Sequence, residues 1–176
     1  RISVGCKSPL TGGMKEANSG GQASQVLARL GYAAIVLEGK PAGDDLYKIF
    51  IDKNGVKITK DNSLKLLPNY DLVERMKQEH GDKIACISIG PAGEMKMAAA
   101  SVAFTDMELR PTRHAGRGGV GAVMGAKNVK AVSVVQDDAE LATLSFKANF
   151  KTLGKRMGPK MKAAADEIGA FTRAQW

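Results

Sequence analysis

Two pairs of adjacent glycines are the strongest candidates for a ligand-binding site in this sequence. The first pair ends "EANSGG" (16–21) and the second ends "HAGRGG" (114–119), and each stands just before a short apolar stretch. Glycine at a helix start costs about 1 kcal/mol relative to alanine, so paired glycines indicate that something approaches the backbone closely. Helix starts with free amides favour anions, and the two loops are therefore predicted to bind phosphate.

Cationic residues beside the second pair strengthen this interpretation. They are Arg113, His114 and Arg117. Neither loop has the spacing of the dinucleotide-binding fingerprint, and no Gly-Lys-Ser/Thr follows, so an ordinary nucleotide is not the predicted ligand. An alternative stays open, in which the glycines only let a helix lie close on a sheet or supply turns of positive φ.

An internal repeat connects the two loops. Residues 18–39 and residues 115–136 share one order: a small or polar residue, a glycine pair, a short apolar helix, a glycine and a β-branched segment. Two similar loops suit a ligand with two similar anionic halves, each half held at one predicted helix start.

The elements around these loops are predicted from periodicity and turn signals. In the first half we expect a helix over 18–31, with Asn18 or Ser19 as its cap and Gly31 closing it. Lys53-Asn54-Gly55 between two alternating segments predicts a hairpin. The remaining predictions are strands over 1–6, 32–39 and 83–90, a turn over 8–13, a helix over 69–81, and a further strand or two within 98–109.

Composition limits the classes of function. The chain has 176 residues, 44% of them hydrophobic, and a formal net charge of +8. The longest apolar run, "YAAIVL", is far shorter than the roughly 20 residues of a membrane-spanning helix, so no span is predicted. The charge suits anions, but aromatic residues make up only 5% and do not alternate with the basic ones, which disfavours nucleic acid as the partner.

The two cysteines, Cys6 and Cys86, have no C-x-x-C partner. Their separation is typical neither of a metal site nor of a disulfide framework, so we expect free thiols in a reducing compartment, the cytoplasm.

Four motifs carry a resemblance to a known family. They are "KSPLTG" (7–12), "EANSGG" (16–21), "IGPAGE" (89–94) and "AGRGGVGAVMGAKNVKA" (115–131). In order and approximate spacing they resemble the N-terminal domain of the tungsten-containing aldehyde ferredoxin oxidoreductase family.

The resemblance implies a fold and a domain organisation. The implied fold class is α+β, with two related mixed β-sheets and short helices about a pseudo-twofold axis. Residues 1–136 would form the tungstopterin-binding domain, without its first strands, and residues 137–176 a helical segment that leads to a second domain.

The resemblance also implies a cofactor of two pterins that share one tungsten or molybdenum. The backbone carbonyls of Asn18 and Ala115 would hold a magnesium ion between the pterin phosphates, which suits a cation that prefers oxygen ligands. Arg1 occupies the approximate place of an arginine that bridges a pterin to an iron–sulfur cluster. The other residues implied to line the phosphates and pterins are Ser19, Gly20, Gly21, His114, Gly116, Arg117, Gly118 and Gly119.

The implied reaction is oxidation of an aldehyde to a carboxylic acid, with ferredoxin as electron acceptor. The ligands of a 4Fe-4S cluster and the acid–base groups would lie outside this chain, so no catalytic residue is assigned within it and the fragment alone is predicted to be inactive. A homodimer or a complex with electron-transfer subunits is the implied assembly. Two alternatives stay open: the tungsten subunit of an aromatic thioester reductase of the same family, and a non-catalytic anion- or nucleic-acid-binding module.

Overall fold

The computed structural model describes residues 1–135 together with residues 155, 158–160 and 162–163. The chain divides into two units, residues 1–139 and 140–176. The described residues of the second unit are all helical. The remainder of the helical segment predicted over 137–176 lies outside the described residues, and the domain boundary at 136 stays a prediction.

The first sheet is a two-stranded antiparallel hairpin of β1 (Ile2–Lys7) and β2 (Met14–Ser19). The turn over 8–13 is as predicted, and Ser8 organises it: its carbonyl accepts a hydrogen bond from the Gly12 amide at 2.9 Å and its hydroxyl one from the Leu10 amide at 3.1 Å. This hairpin places the "EANSGG" motif at the end of a strand.

The helix predicted over 18–31 begins later than expected. Asn18 and Ser19 belong to β2, where they pair with β1, so neither caps the helix. The helix α1 runs over Ala23–Arg29 with Gln22 at its N-cap. Gly31 does close it, with φ of +84° and its amide 3.1 Å from the Ala28 carbonyl oxygen.

The second sheet has six strands in the order β4-β3-β8-β5-β6-β7. It is mixed, because β3 and β8 are parallel while all other neighbours are antiparallel. Its strands are β3 (Tyr47–Asp52), β4 (Gly55–Lys60), β5 (Ile84–Ser88), β6 (Val102–Phe104), β7 (Arg113–Ala115) and β8 (Val129–Val135). Two sheets with short helices confirm the predicted α+β class.

Helices cover both faces of the larger sheet. One core cluster contains Val26 and Leu27 of α1, Val120 and Met124 of α4 (Val120–Ala126), and sheet residues such as Phe104. A second cluster lies under α2 (Asn69–His80), whose apolar residues contact β5 and β8; its members include Leu72, Val73, Met76, Ile84 and Ala131. A short helix α3 (Pro91–Glu94) and a 3-10 turn (Asn62–Leu64) complete the described elements.

Local sequence signals predicted the elements between residues 47 and 90 correctly. The hairpin predicted at Lys53-Asn54-Gly55 is confirmed, with Asp52 opposite Gly55. The helix predicted over 69–81 is confirmed as α2, and Gly81 is its C-cap with φ of +84°. The strand predicted over 83–90 is confirmed as β5.

The strand predicted over 32–39 is wrong. This segment forms no ladder with any described strand, although Ile35 and Leu37 pack against the core. Val36 is 74% exposed. An apolar, β-branched run becomes a strand only when a neighbour supplies hydrogen bonds, and no described strand does so here.

No helix among the described residues is long and apolar enough to cross a membrane.

Candidate functional site

The two glycine loops adjoin each other through the strands that lead into them. β2 leads into Gly20, and a Cβ built on Gly20 would lie 3.9 Å from Cδ of Arg113, the first residue of β7. β7 leads into Gly118, and a Cβ built there would lie 2.9 Å from Cβ of Lys15, near the start of β2. Each loop therefore lies beside the start of the other loop's strand.

Three of the glycines are required by the fold. Gly21, Gly118 and Gly119 have φ angles of +101°, +72° and +71°. A side chain on Gly21 would overlap the carbonyl oxygen of Thr105, and one on Gly119 would lie 2.8 Å from Cγ of Pro9. The turn and the close packing both need glycine at these three positions, so a ligand is not required to explain why glycine stands there.

Gly20 and Gly116 are different. Both have φ outside the left-handed region, and both are exposed. A Cβ on Gly116 would meet no atom within 4 Å, and one on Gly20 would meet only the Arg113 side chain. The fold does not need glycine at these two positions, so their bare backbone is available to a ligand.

The amides at the helix starts are only partly free. Gln22, the N-cap of α1, donates its amide to the Thr105 carbonyl at 3.1 Å, and Gly121 in the first turn of α4 donates to the Ala100 carbonyl at 2.9 Å. Within the part of the chain that the structure describes, the amides of Arg117 and Gly118 have no hydrogen-bond acceptor. Amides of the loop itself, ahead of the helix, are thus the donors that remain for an anion.

Ser19 carries an unsatisfied buried hydroxyl at the edge of the first loop. The residue is only 6% exposed, and its Oγ has no hydrogen-bond partner among the described residues. A buried hydroxyl without a partner costs about 1–3 kcal/mol, so such groups usually indicate a water or ligand contact. This orphaned atom and the open backbone of Gly20 are compatible with a bound phosphate-bearing group.

Asn18 and Ala115 are the residues predicted to hold magnesium, and neither has a free side-chain oxygen for a cation. The Asn18 Oδ1 already accepts a hydrogen bond from the Ser3 hydroxyl at 2.7 Å. Ala115 is fully buried and pairs with Val102 of β6. A role for either residue in binding a cation would therefore fall to the backbone, as the predicted carbonyl ligation requires.

Three of the residues predicted to bind the cofactor are basic and exposed. His114 is held by Ser101, whose Oγ lies 2.9 Å from its Nδ1. Arg117 forms no ion pair or hydrogen bond within residues 1–135. Arg1 precedes Ile2, the residue that pairs with Ser19, and so stands near the end of the first loop's strand.

A tightly organised turn between β6 and β7 was not predicted. The Asp106 carboxylate accepts hydrogen bonds from the amides of Glu108 and Arg110, at 2.9 and 3.0 Å, and from the Thr112 hydroxyl at 2.8 Å. Burial acts to raise the pKa of Asp106, but these donors and the Arg110 charge outweigh it and lower the pKa to about 2. The turn delivers β7 to its place beside β2.

The same turn is tied to the first loop. The Gln22 side-chain amide donates to the Met107 carbonyl at 3.2 Å, and the Gln22 backbone amide donates to Thr105. Segment 105–112 thus links both glycine loops, and no short-range sequence signal could have revealed a contact across more than eighty residues.

The two cysteines belong to different sheets: Cys6 to β1 and Cys86 to β5. Both are free; Cys86 is buried and Cys6 half-buried. Burial raises the pKa of the Cys86 thiol to about 11, and it also raises that of Cys6. Among the described residues, no group of three or more His, Cys, Asp or Glu side chains is placed to hold a metal ion.

A cavity in the first unit is mostly apolar and separate from most of the predicted site. It measures about 730 Å³ and lies between β1, α1, α4 and residues 32–37. Of the residues predicted to bind the cofactor, only Arg1 lines it. The free amides of Arg117 and Gly118 and the unpartnered Ser19 hydroxyl therefore belong to the two glycine loops and do not line this cavity.

Residues 1–136 match the family model described as "Aldehyde ferredoxin oxidoreductase, N-terminal domain". The chain belongs to this family. The motif-based resemblance drawn from the sequence is thereby confirmed.

Two relatives of this chain come from species of Pyrococcus. The chain is 45% identical over 138 residues to the tungsten-containing aldehyde ferredoxin oxidoreductase of Pyrococcus horikoshii, an alignment covering 76% of the chain and 21% of that protein. It is 42% identical over 135 residues to the protein of the same name from Pyrococcus furiosus, again covering 76% and 21%. The chain thus spans about a fifth of the length of these relatives.

A solved structure shares the fold. The active-site complex BamBC of benzoyl coenzyme A reductase, in complex with 1,5-dienoyl-CoA, matches with a TM-score of 0.68 and 32% identity, over 75% of this chain and 19% of that one. Relatives of this fold therefore include oxidoreductases named for different substrates.

Proposed function

We propose that this aldehyde ferredoxin oxidoreductase N-terminal domain binds both pterin phosphates of a tungsten or molybdenum bis-pterin cofactor within a larger enzyme that oxidises aldehydes to carboxylic acids. The observation that carries the proposal is the reciprocal placement of two glycine loops in a domain of this family. A cofactor with two phosphate-bearing halves needs two such loops close together.

In the proposed complex, the first loop contributes the Ser19 hydroxyl, the open backbone of Gly20 and the backbone of Gly21. The second contributes His114, Arg117 and the backbone of Gly116, Gly118 and Gly119. The backbone carbonyls of Asn18 and Ala115 would hold magnesium, and Arg1 would lie toward a 4Fe-4S cluster whose ligands belong to other parts of the enzyme. The metal and pterins would supply the two-electron chemistry, while this chain binds and orients them.

The charges of this chain suit that task. The guanidinium of Arg117 and the free amides beside it can stabilise phosphate without a proton transfer, because guanidinium stays charged at all physiological pH values. Ser101 fixes the His114 ring through Nδ1, so Nε2 is the nitrogen left to meet a ligand. These groups hold the cofactor; proton transfer to or from the substrate is assigned to residues outside this chain.

Ferredoxin is the proposed electron acceptor and an aldehyde the proposed substrate, because the curated relatives carry both in their names. The cytoplasm is the proposed compartment, since it would keep Cys6 and Cys86 as free thiols.

An aromatic thioester reductase is the second candidate. It is favoured by the structural match to a benzoyl coenzyme A reductase complex at 32% identity. The aldehyde oxidoreductases share 38 to 45% identity with this chain, which favours the first candidate. Assay of the full-length protein with aldehydes and with an aromatic thioester would separate the two.

Substituting Gly20 tests the cofactor-binding role of the first loop. A Cβ at this position would meet only the flexible Arg113 side chain, so we expect the fold to survive while the valine side chain occupies space proposed for the phosphate. We expect full-length Gly20→Val to bind the metal–pterin roughly tenfold to hundredfold more weakly, in line with an overpacking penalty of about 1–3 kcal/mol. Metal analysis and pterin fluorescence after gel filtration measure the effect.

Gly5→Val is the matched control. Gly5 lies exposed in β1 and has no left-handed φ. A Cβ built on it would lie 3.9 Å from the Lys15 carbonyl oxygen, which equals the distance from the Cβ position of Gly20 to Cδ of Arg113. It should retain wild-type metal and pterin. Equal retention by both variants would overturn the loop assignment.

A further inference from the structure

Lys15 and Arg113 occupy equivalent positions in the two halves of the site. Lys15 stands five residues before Gly20, and Arg113 stands five residues before Gly118. Each belongs to the strand that leads into one glycine loop, yet each packs on the glycine of the other loop. The contacts are therefore crossed.

The crossed contacts place two cationic side chains on the loops. The stem of Lys15 covers Gly118, whose Cβ would overlap Lys15 Cγ. The Cδ of Arg113 lies 3.9 Å from the Cβ position of Gly20. Long basic side chains commonly lay their apolar stems on a surface and keep the charged end in water.

Neither charge is neutralised by the protein. Within residues 1–135, neither the Lys15 ammonium nor the Arg113 guanidinium takes part in an ion pair or hydrogen bond. Glu16, the nearest acid in sequence to Lys15, lies on the opposite face of β2, where it accepts a hydrogen bond from the Ser3 hydroxyl. Both cations are thus available to an external anion.

The buried hydroxyl of Ser19 lies on the same face of β2 as Lys15. Alternation along a strand places residues 15, 17 and 19 on one face, and Ala17 and Ser19 are buried there. The unpartnered Ser19 Oγ is a second sign, independent of the charges, that this face meets a polar ligand.

From this geometry we infer that Lys15 and Arg113 form a crossed cationic clamp, in which each side chain binds the phosphate held at the other strand's glycine loop. The inference deepens the proposed function and rests on it. Each cation belongs to the strand of one glycine loop and lies on the other loop. The clamp therefore favours a ligand with two phosphate groups over a ligand with a single phosphate.

The test uses the full-length protein with three methionine variants. Methionine keeps an unbranched stem on the glycine and removes the charge, so Lys15→Met and Arg113→Met should fold normally. Lys57→Met is the control, since Lys57 is an exposed lysine of β4, at the opposite edge of the larger sheet from β7. Apo protein is titrated with inorganic phosphate by calorimetry at constant ionic strength, and thermal unfolding is followed with and without phosphate.

We expect Lys15→Met and Arg113→Met each to weaken phosphate binding about fivefold to tenfold, the range of one charge-assisted contact that is partly exposed. The phosphate-dependent rise in Tm should shrink accordingly, while Tm without phosphate stays unchanged. Arg113→Lys should restore part of the affinity, and Lys57→Met should match the wild type. Wild-type phosphate affinity in both clamp variants would overturn the inference.

A separate measurement keeps the two proposals distinguishable. Metal and pterin content of the wild-type enzyme tests the proposed function without reference to the clamp. If the wild type contains normal metal and pterin and the clamp variants bind phosphate as tightly as the wild type, the clamp inference is rejected and the proposed function stands. Absence of metal and pterin from the wild type would remove the proposed function, while loss of phosphate affinity in the clamp variants would still support the clamp as an anion site.

Discussion

At the residue scale, the glycines of one motif serve different purposes. In "HAGRGG", Gly118 and Gly119 are fixed by their positive φ and by neighbours that leave no room for a side chain, whereas Gly116 is open. In "EANSGG" the same division separates Gly21 from Gly20. A motif read from sequence does not distinguish these cases, because the distinction depends on atoms that are distant along the chain.

Asp106 organises the turn that precedes β7, and its charge should stabilise the fold. Asp106→Asn keeps the shape but removes the charge that three donors stabilise, so we expect a lower free energy of unfolding near neutral pH. The folded pKa of about 2 lies below the unfolded value of about 3.9. The contribution of the charge is therefore full above pH 4 and is lost as the pH falls through about 2.

Urea denaturation of the wild type and Asp106→Asn between pH 6 and pH 2 measures this contribution. The difference in the free energy of unfolding should narrow as the pH falls toward 2. A difference that stays constant over the whole range would show that the carboxylate charge does not hold the turn.

At the scale of elements, close contacts between glycines and backbone position the second loop's helix. A Cβ on Gly125 of α4 would lie 2.7 Å from the carbonyl carbon of Gly93 in α3, and one on Gly121 would lie 2.7 Å from that of Ser101. α4 therefore packs against α3 and the residues before β6 at backbone distance. This packing fixes the direction in which residues 116–119 enter α4.

A buried ion pair fastens α3 to the larger sheet. Lys130 of β8 has a fully buried side chain; its ammonium donates to the Leu67 carbonyl at 2.8 Å and pairs with Glu94 of α3. Glu94 also accepts a hydrogen bond from the Leu66 amide at 2.9 Å. Burial lowers the pKa of Lys130, and the Glu94 charge opposes that shift.

Lys130→Met should destabilise the fold by about 3 kcal/mol, because it leaves the Glu94 carboxylate buried without its cation. The double variant Lys130→Met, Glu94→Gln should lose less than the single one, since no unpaired charge then remains. Lys60→Met, which breaks an exposed ion pair with Asp45 at 2.7 Å, is the control and should change little. Chemical denaturation checks all three, and a small effect of Lys130→Met would contradict the structural role of the pair.

Elements with short-range signals could be predicted from the sequence, and elements that depend on distant partners could not. The turn at Lys53-Asn54-Gly55 and the apolar spacing of α2 specify themselves locally. β2 was missed because "MKEANS" lacks apolar alternation and becomes a strand through its pairing with β1. Residues 32–39 were predicted as a strand because their apolar, β-branched composition is typical of one. They form none because no described strand pairs with them.

At the scale of the whole molecule, some basic residues form ion pairs with acids of the fold and others do not. Lys48, Lys60, Lys77 and Lys130 form ion pairs with acids of the fold. Lys15, Arg113 and Arg117 around the glycine loops form none within residues 1–135. The excess charge is therefore compatible with a local anion site, and it does not require the nucleic-acid partner of the alternative hypothesis.

The candidate site was predictable as a set of motifs but not as a geometry. The four motifs sufficed to predict the family, which the match over residues 1–136 confirms. The crossing of Lys15 and Arg113 depends on strands nearly one hundred residues apart in sequence, and only the folded chain reveals it. The assignment of individual residues to magnesium and pterin stays a prediction.

Metal and pterin content of the full-length protein tests whether the two glycine loops bind a bis-pterin cofactor. The protein would be purified without oxygen from its natural source, and tungsten, molybdenum and pterin would be quantified per polypeptide. We expect one tungsten or molybdenum per polypeptide and two pterins per metal, because each of the two loops would hold one phosphate. A full-length protein that is folded and contains neither metal nor pterin would contradict it.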